Sequence, residues 1–179
     1  MKATGIIRRM DELGRVVIPM ELRKTLRLSA GAPMEIFTES DRLILRKYSP
    51  VAGLESEGKE FAAAAALVTG RACVLTDNEK IVCVSGEDLA DFVGAPLTAA
   101  YTARLKEQKS VLINGDTGNA APLARGMERF SSQVIVPVLL GGESIGSVAL
   151  LDERKETVFD GGDVKLLQLG AAFLARKFV

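Results

Sequence analysis

The sequence predicts an α+β fold in two parts: a short strand-rich segment at the N-terminus, followed by a larger antiparallel domain. Runs of β-branched residues alternate with helix-length apolar repeats along the 179 residues. A stretch containing proline and glycine, Ser49–Gly53, interrupts this pattern. The two parts also differ in charge, because residues 1–52 hold 10 basic and 6 acidic side chains and the remainder holds 13 and 17.

The N-terminal part begins with a predicted hairpin. Ile6–Met10 is a short apolar and basic run, and Arg15–Ile18 is rich in β-branched residues. Asp11–Gly14 lies between them and has the composition of a turn, with a glycine that tolerates positive φ. Pro19 then sets φ for the first turn of a helix predicted over Met20–Leu28.

Two more strands are predicted after this helix, Met34–Phe37 and Leu43–Leu45, around a polar turn at Glu39–Asp41. A unit this short, with few large side chains, buries little surface alone. A dimer that shares one core removes this difficulty without a disulfide or a metal. We therefore expect the N-terminal part to be an obligate, interlaced homodimer.

The second part is predicted to be an antiparallel α+β domain. Its predicted helices are Leu54–Val68, Leu97–Gln108 and Asp163–Phe178. Its predicted strands are Ala72–Leu75, Ile81–Val84, Ser110–Ile113, Gln133–Leu140 and Ser144–Leu151. Residues 114–132 are predicted to form a long connection that is either irregular or helical in part, and Gly141–Glu143 makes a hairpin of the last two strands.

Both predicted terminal helices of this domain carry apolar stripes. The stripe of the first helix consists of Leu54, Phe61, Ala65 and Val68. The last helix has one apolar face made of Val164, Leu167, Ala171, Leu174 and Phe178, and a second made of Leu166, Leu169 and Phe173. A helix on a single sheet needs only one such face. The second is covered either by the first helix of the same domain or by another copy of the protein.

Composition excludes several classes of function. Two cysteines, Cys73 and Cys83, are too few for a disulfide scaffold, and with no histidine the chain lacks imidazole as a base or zinc ligand. No signal peptide and no run of about 18 apolar residues is present. We expect a cytoplasmic, nucleoid-associated protein without a metal or cofactor. A basic segment joined to an acidic domain favours contact with a polyanion.

The string from Ala3 to Leu26 closely resembles the AbrB transition-state regulator family. Its most specific part is Leu13–Pro19 followed by Glu21–Arg23, and Leu43–Pro50 matches as well. The resemblance covers residues 1–50 and implies a swapped-hairpin dimer with one barrel-like core. It also implies that double-stranded DNA is bound by Arg8, Arg15, Arg23 and Lys24, and we expect the adjacent Arg9 to assist them.

Lys24 departs from the family pattern, since relatives often carry arginine there. Lysine is a point charge and lacks the planar fork that contacts guanine, so we assign it to phosphate. The alternative is that these arginines are solvated and pair with Asp11, Glu12 and Glu21, in contacts worth about 0–1 kcal/mol.

The architecture and the tail Ala171–Arg176 are similar to family members whose second domain resembles a GAF domain, a small-molecule-sensing fold. This implies a regulator of sporulation genes with a DNA-binding domain at 1–50, a linker at 51–54 and a GAF-like regulatory or oligomerisation domain at 55–179. A ligand would meet the polar candidates Ser85, Arg129, Ser132 and Gln133. Alternatively, the domain only assembles the protein, as a homotetramer.

Two other functions are alternatives to DNA-binding regulation. Antitoxins share the N-terminal fold but continue into a disordered tail, which an apolar content of 47% argues against. Some GAF-fold proteins reduce free methionine sulfoxide with several cysteines, but Cys73 and Cys83 lie in apolar strands that favour buried, inert thiols. We expect a sequence-specific transcription regulator that is not an enzyme.

Overall fold

The computed structural model describes residues 4–26, 28, 30–115 and 119–177. Two positions used in the sequence predictions, Ala3 and Phe178, lie outside these residues. The chain divides into two compact units, one ending at Tyr48 and the other beginning at Ser49.

The N-terminal unit contains a short helix and a two-stranded hairpin. Helix α1 is Met20–Thr25, so it ends earlier than the predicted Met20–Leu28. Strands β1, Met34–Glu39, and β2, Arg42–Lys47, pair antiparallel and extend both predicted strands.

The hairpin predicted before Pro19 forms only its turn. The Asp11 N–H donates to the Arg15 carbonyl at 3.0 Å, and Gly14, at φ 74°, donates to the Asp11 carbonyl at 3.0 Å. The flanking runs Ile6–Met10 and Arg15–Ile18 are not strands. Strands form only where a neighbour takes up their backbone hydrogen bonds, and a single chain provides none here.

The N-terminal unit has almost no core. Among its described residues only Pro19 is buried. Large apolar side chains remain in solvent, with Ile7 88%, Leu13 75% and Val17 72% exposed. This amount of apolar exposure is typical of an interaction surface rather than of a finished monomer.

The second unit is built on an antiparallel sheet of five strands among the residues described. Its helices are α2 (Glu55–Thr69), α3 (Ala99–Lys106) and α4 (Gly161–Arg176). Its strands are β3 (Ala72–Asp77), β4 (Ile81–Ser85), β5 (Val111–Ile113), β6 (Ser132–Leu140) and β7 (Glu143–Asp152), in the order β4-β3-β7-β6-β5. Short 3-10 turns lie at Pro50–Leu54 and Ala90–Phe92.

The sheet buries both of its faces, because side chains alternate along each strand. On one face, Cys73 and Leu75 of β3 pack with Ala62 of α2 and Leu167 of α4. On the other face, Val74 packs with a second cluster from α3 and the long connection, which includes Tyr101, Leu105, Leu123, Met127 and Phe130. The domain therefore has three layers.

The segment predicted as a linker, residues 51–54, differs most from expectation. It belongs to the 3-10 turn Pro50–Leu54, in which Val51 is 2% and Leu54 8% exposed. Both side chains pack into the core next to α2 and α4. Proline and glycine interrupted the helical pattern here, but Val51 and Leu54 are held in the domain core rather than in solvent.

Helices α2 and α4 share one face of the sheet and meet where Phe61 lies against Gly170. The first apolar face of α4 is buried as predicted, with Leu167 at 0% and Leu174 at 1% exposed. Its second face is covered only in part, because Leu166 is partly buried against the core whereas Leu169 remains 74% and Phe173 50% exposed. In the predicted stripe of α2, Ala65 is 4% exposed but Val68 proves to be 73% exposed, while Ala62, outside that stripe, is fully buried.

Helix α4 begins earlier than predicted because Asp160 caps it. Asp160 Oδ1 accepts hydrogen bonds from the backbone of Gly162 and Asp163, and Asp163 Oδ2 accepts from the Asp160 N–H at 2.9 Å. This reciprocal pair satisfies backbone donors that no helical carbonyl reaches. No helix in the described ranges is both long and apolar enough to cross a membrane.

Candidate nucleic-acid interface

The five basic residues assigned to DNA all lie in the N-terminal unit and are all exposed. Arg8 and Arg9 precede the first turn, and Arg15 follows it. Arg23 and Lys24 occupy the last turn of α1. Pro19 is the N-cap residue of this helix. At the other end, the cations oppose the partial negative charge of the terminal carbonyls.

Arg15 differs from the other arginines because it is held by its own turn. Its Nε donates to Asp11 Oδ2 at 2.7 Å, while Asp11 Oδ1 accepts from the Arg15 N–H at 2.8 Å and the Leu13 N–H at 3.0 Å. The hydrogen bond from the Arg15 backbone, then that from its side chain, lower the pKa of Asp11. The carboxylate therefore stays charged and closes the turn.

The other arginines are available to a partner. Of the expected pairs with Asp11, Glu12 and Glu21, the structure forms only Arg15 with Asp11. Arg8, Arg9 and Arg23 make no ion pair with any residue that the structure describes. Exposed guanidinium groups without a carboxylate partner suit phosphate oxygens and base edges.

Two of the four predicted ligand residues hold the long connection in place. Gln133 is fully buried, accepts from the Ala121 N–H at 3.1 Å, and donates to the carbonyls of Ala121 and Phe130, each at 3.2 Å. Ser132 accepts from the Gly115 N–H at 2.9 Å and donates to the Thr157 carbonyl at 3.3 Å. Their polar atoms are therefore engaged by the protein backbone.

The other two predicted ligand residues, Arg129 and Ser85, lie elsewhere in the domain. Arg129 pairs with Glu153 at 2.7 Å and lies over the Phe130 ring. Ser85 ends β4, opposite Cys73. A groove of about 360 Å³ does exist, but its lining lies between β6 and α4 and includes Pro137, Leu139, Gln168 and Ala172.

Sequence reasoning missed a buried polar chain in the core. The Tyr101 hydroxyl lies 2.9 Å from Ser147 Oγ, which lies 2.8 Å from Thr76 Oγ1, and all three side chains are fully buried. Their partners are distant in sequence, so no local pattern signals the contact. The hydroxyls satisfy one another, which makes this chain a stabilising feature of the core.

A second missed cluster surrounds Asp152 at the end of β7. Arg154 donates to Asp152 through Nε at 3.1 Å and Nη2 at 2.9 Å, and Arg71 Nε lies 3.0 Å from the same carboxylate. Burial alone would raise the pKa of Asp152, but the hydrogen bonds from Arg154 and the charge of Arg71 lower it to about 2. The cluster thus ties the start of β3 to the end of β7.

The two cysteines are buried, as the sequence predicts, and are not joined. Burial raises the pKa of the Cys73 thiol to about 12 and that of Cys83 to about 11. The nucleophilic thiolate is therefore scarce at neutral pH. Within the described part of the chain, no group of three or more Cys, Asp or Glu residues is placed to hold a metal ion.

Comparison with known proteins separates the same two regions. The family model described as "Stage V sporulation protein T C-terminal, transcription factor" matches residues 53–178, and "Antidote-toxin recognition MazE, bacterial antitoxin" matches residues 7–52. Stage V sporulation protein T of Bacillus subtilis (strain 168) is 36% identical over 179 residues, which is 99% of this chain and 98% of the relative.

Transition state regulatory protein AbrB of the same strain is 54% identical over 50 residues, covering 28% of this chain and 52% of the relative. This match confirms the AbrB resemblance. A GAF domain of an Acinetobacter phosphoenolpyruvate-protein phosphotransferase shares 14% identity, with a TM-score of 0.62 over 70% of this chain and 81% of that chain. A type II free methionine-R-sulfoxide reductase from Thermoplasma acidophilum shares 16%, with a TM-score of 0.53 over 70% and 94%. These structures establish a GAF-like fold.

The matches define the class of protein as transcription regulators. The chain belongs to the stage V sporulation protein T family, because the family's model covers most of its length and a relative of that name matches it from end to end.

Proposed function

We propose that the chain binds duplex DNA of particular sequence through its N-terminal unit and thereby regulates sporulation genes. The observation that supports this most is the set of exposed arginines at the first turn and on α1. Three of them, Arg8, Arg9 and Arg23, have no carboxylate partner among the described residues. The AbrB-like sequence of the same segment supports the same conclusion.

The DNA-binding form is a homodimer with interleaved N-terminal units. The runs Ile6–Met10 and Arg15–Ile18 lack strand partners, and Pro19 is the only buried residue in the part of this unit described. A second copy would supply both the missing backbone partners and cover for the exposed apolar side chains. Two copies also double the number of basic contacts, so binding becomes more sensitive to salt.

Arginine and lysine have different roles in this proposal. The planar fork of arginine reaches base edges or phosphate, whereas the ammonium of Lys24 contacts phosphate as a point charge. Lys24 therefore supports affinity, and sequence preference comes from the arginines.

A gel-shift titration tests the proposal, using duplexes that the full-length protein enriches from a random-sequence library. Arg15→Ala is expected to weaken binding strongly. Arg42→Ala removes the same charge from β2, outside the proposed contact surface, and serves as the matched control. Unchanged binding by Arg15→Ala would contradict the assignment.

The second domain assembles dimers into a homotetramer. Four apolar side chains on α2 and α4 support this role: Leu67 is 85%, Val68 73%, Leu169 74% and Phe173 50% exposed. Assembly is favoured over ligand sensing because Ser132 and Gln133 are engaged in holding the connection after β5.

An antitoxin role receives support from the family match over residues 7–52. It is the weaker candidate, because an ordered domain follows where a disordered toxin-binding tail would lie. Co-purification of a toxin would favour it.

The raised thiol pKa values support a role without catalysis, and measurable turnover of free methionine sulfoxide would overturn this. We place the protein in the cytoplasm, on the nucleoid.

A further inference from the structure

The Asp11 carboxylate accepts hydrogen bonds from both the backbone and a side chain of its own turn. Oδ1 accepts the backbone N–H groups of Leu13 and Arg15, and Oδ2 accepts the Nε–H of Arg15. The backbone thus determines where the carboxylate lies, and the carboxylate determines where the Arg15 guanidinium begins. A loose surface ion pair would lack the first of these two constraints.

The hydrogen bond at Nε leaves the far end of the guanidinium free. Arginine has five N–H donors in one plane, one on Nε and four on the two terminal nitrogens. Only Nε of Arg15 has a partner among the residues described. The terminal nitrogens together form the edge that can bond the O6 and N7 acceptors of guanine in the major groove.

Arg15 differs from the other basic residues of the unit in that a neighbouring carboxylate opposes its charge. Asp11 largely neutralises Arg15, so this pair gains little from general attraction to phosphate. Its hydrogen-bonding geometry is nevertheless better fixed than that of a free arginine. Arg8, Arg9 and Arg23 have the opposite properties, since no carboxylate among the described residues opposes their charge or anchors them.

We propose that Asp11 is a positioning residue that directs the terminal edge of Arg15 at a base edge, so that Arg15 reads sequence while its basic neighbours supply charge. The inference rests on the proposed DNA-binding function. It assigns sequence readout, with guanine as the preferred base, to one named pair.

Asp11→Asn tests this directly in the full-length protein. The amide oxygen of asparagine can still accept the two backbone N–H groups, but its NH₂ cannot accept from Arg15 Nε. Glu12→Gln is the matched control, because it makes the same charge change at the adjacent exposed residue, which does not bond Arg15. The probes are a duplex enriched by the wild-type protein from a random library and a scrambled duplex of the same composition.

Asp11→Asn is expected to lower the ratio of affinities for the enriched and scrambled duplexes by about fivefold or more, the value of one bidentate base contact. Glu12→Gln is expected to preserve this ratio. The double variant Asp11→Asn/Arg15→Ala is expected to match Arg15→Ala alone, because Asp11 acts through Arg15. If Asp11 only stabilised the turn, Asp11→Asn would lower the thermal midpoint, and its effect on the affinity ratio would not depend on Arg15.

The outcomes separate the inference from the function on which it rests. If the wild-type protein enriches no duplex, the proposed DNA-binding function itself fails. If the wild-type protein enriches a duplex, Asp11→Asn and Glu12→Gln must differ in their ratio of affinities for the enriched and scrambled duplexes. Equal ratios in these two variants would overturn the positioning role. Additive losses in the double variant would overturn it as well.

Discussion

Phe61 of α2 and Gly170 of α4 fit together so closely that the aromatic ring occupies the place where a side chain on residue 170 would begin. Both helices also pack on the sheet, so this contact sets how near they lie to each other. A glycine is required at this position because the two helices approach so closely, and not because of an unusual backbone angle.

Gly170→Ala is therefore expected to destabilise the protein by about 1–3 kcal/mol, the usual cost of forcing an extra methyl group into a packed core. Urea unfolding measures the change. Gly161→Ala is the control, because a methyl group there meets nothing within 4 Å. Phe61→Leu combined with Gly170→Ala should recover part of the loss, and a purely additive result would contradict this account.

Gln133→Leu is expected to loosen the connection after β5. The change leaves the buried backbone groups of Ala121 and Phe130 unpaired, at about 1–3 kcal/mol for each group. Hydrogen exchange at residues 119–130 should rise together with the loss of stability. Gln168→Leu, on the exposed side of α4, removes only a hydrogen bond to the exposed Ser110 hydroxyl and should change neither.

Asp152→Asn is expected to make the free energy of unfolding depend less on pH in the acid range. The folded-state pKa of about 2 lies below the unfolded value of about 3.9, so the charged carboxylate stabilises the fold above about pH 4. That contribution, on the order of 2 kcal/mol, is lost as the pH falls from about 4 to about 2. The free-energy gap between wild type and variant should close over this range. Glu143→Gln, an exposed carboxylate at the β6–β7 turn, should leave the curve unchanged, and a gap that persists at pH 2 would refute the assignment.

Leu169→Glu and Phe173→Glu are expected to reduce the assembly to dimers, because each places a charge on the exposed apolar face of α4. Light scattering gives the mass directly. Lys165→Glu also alters an exposed side chain of α4 but removes no apolar surface. A mass that stays the same in all three variants would exclude this face as the interface.

Lys24→Ala is expected to weaken binding to enriched and scrambled duplexes by the same factor. Loss of one phosphate contact in each chain should lower the slope of log affinity against log salt by about 0.9 per contact. Lys106→Ala, in the last turn of α3, is the control. A selective loss on the enriched duplex would mean that Lys24 reads bases.

The β6–β7 hairpin and the turn at Asp11–Gly14 were predictable because their sequence signals are local. Gly141 and Gly142 both adopt positive φ, at 60° and 86°, which is what a two-residue hairpin turn needs and what the glycine pair indicates. The motif from Leu13 to Pro19 likewise identified the N-terminal segment from neighbouring residues alone. Asp11 was predicted only as one of several partners for the arginines, although its place before a turn glycine is a local signal for backbone capping.

The sequence by itself determined the α+β class, the position of the basic residues and the surplus apolar face of α4, since each of these depends on residue type and spacing. Only the tertiary structure decided that Val51 and Leu54 are part of a core, that Gln133 holds the chain at Ala121, and that Arg15 is fixed at Nε. Burial and hydrogen bonding depend on which groups meet in space. A polar side chain has the same letter in the sequence whether it faces a ligand, solvent or the backbone of its own chain.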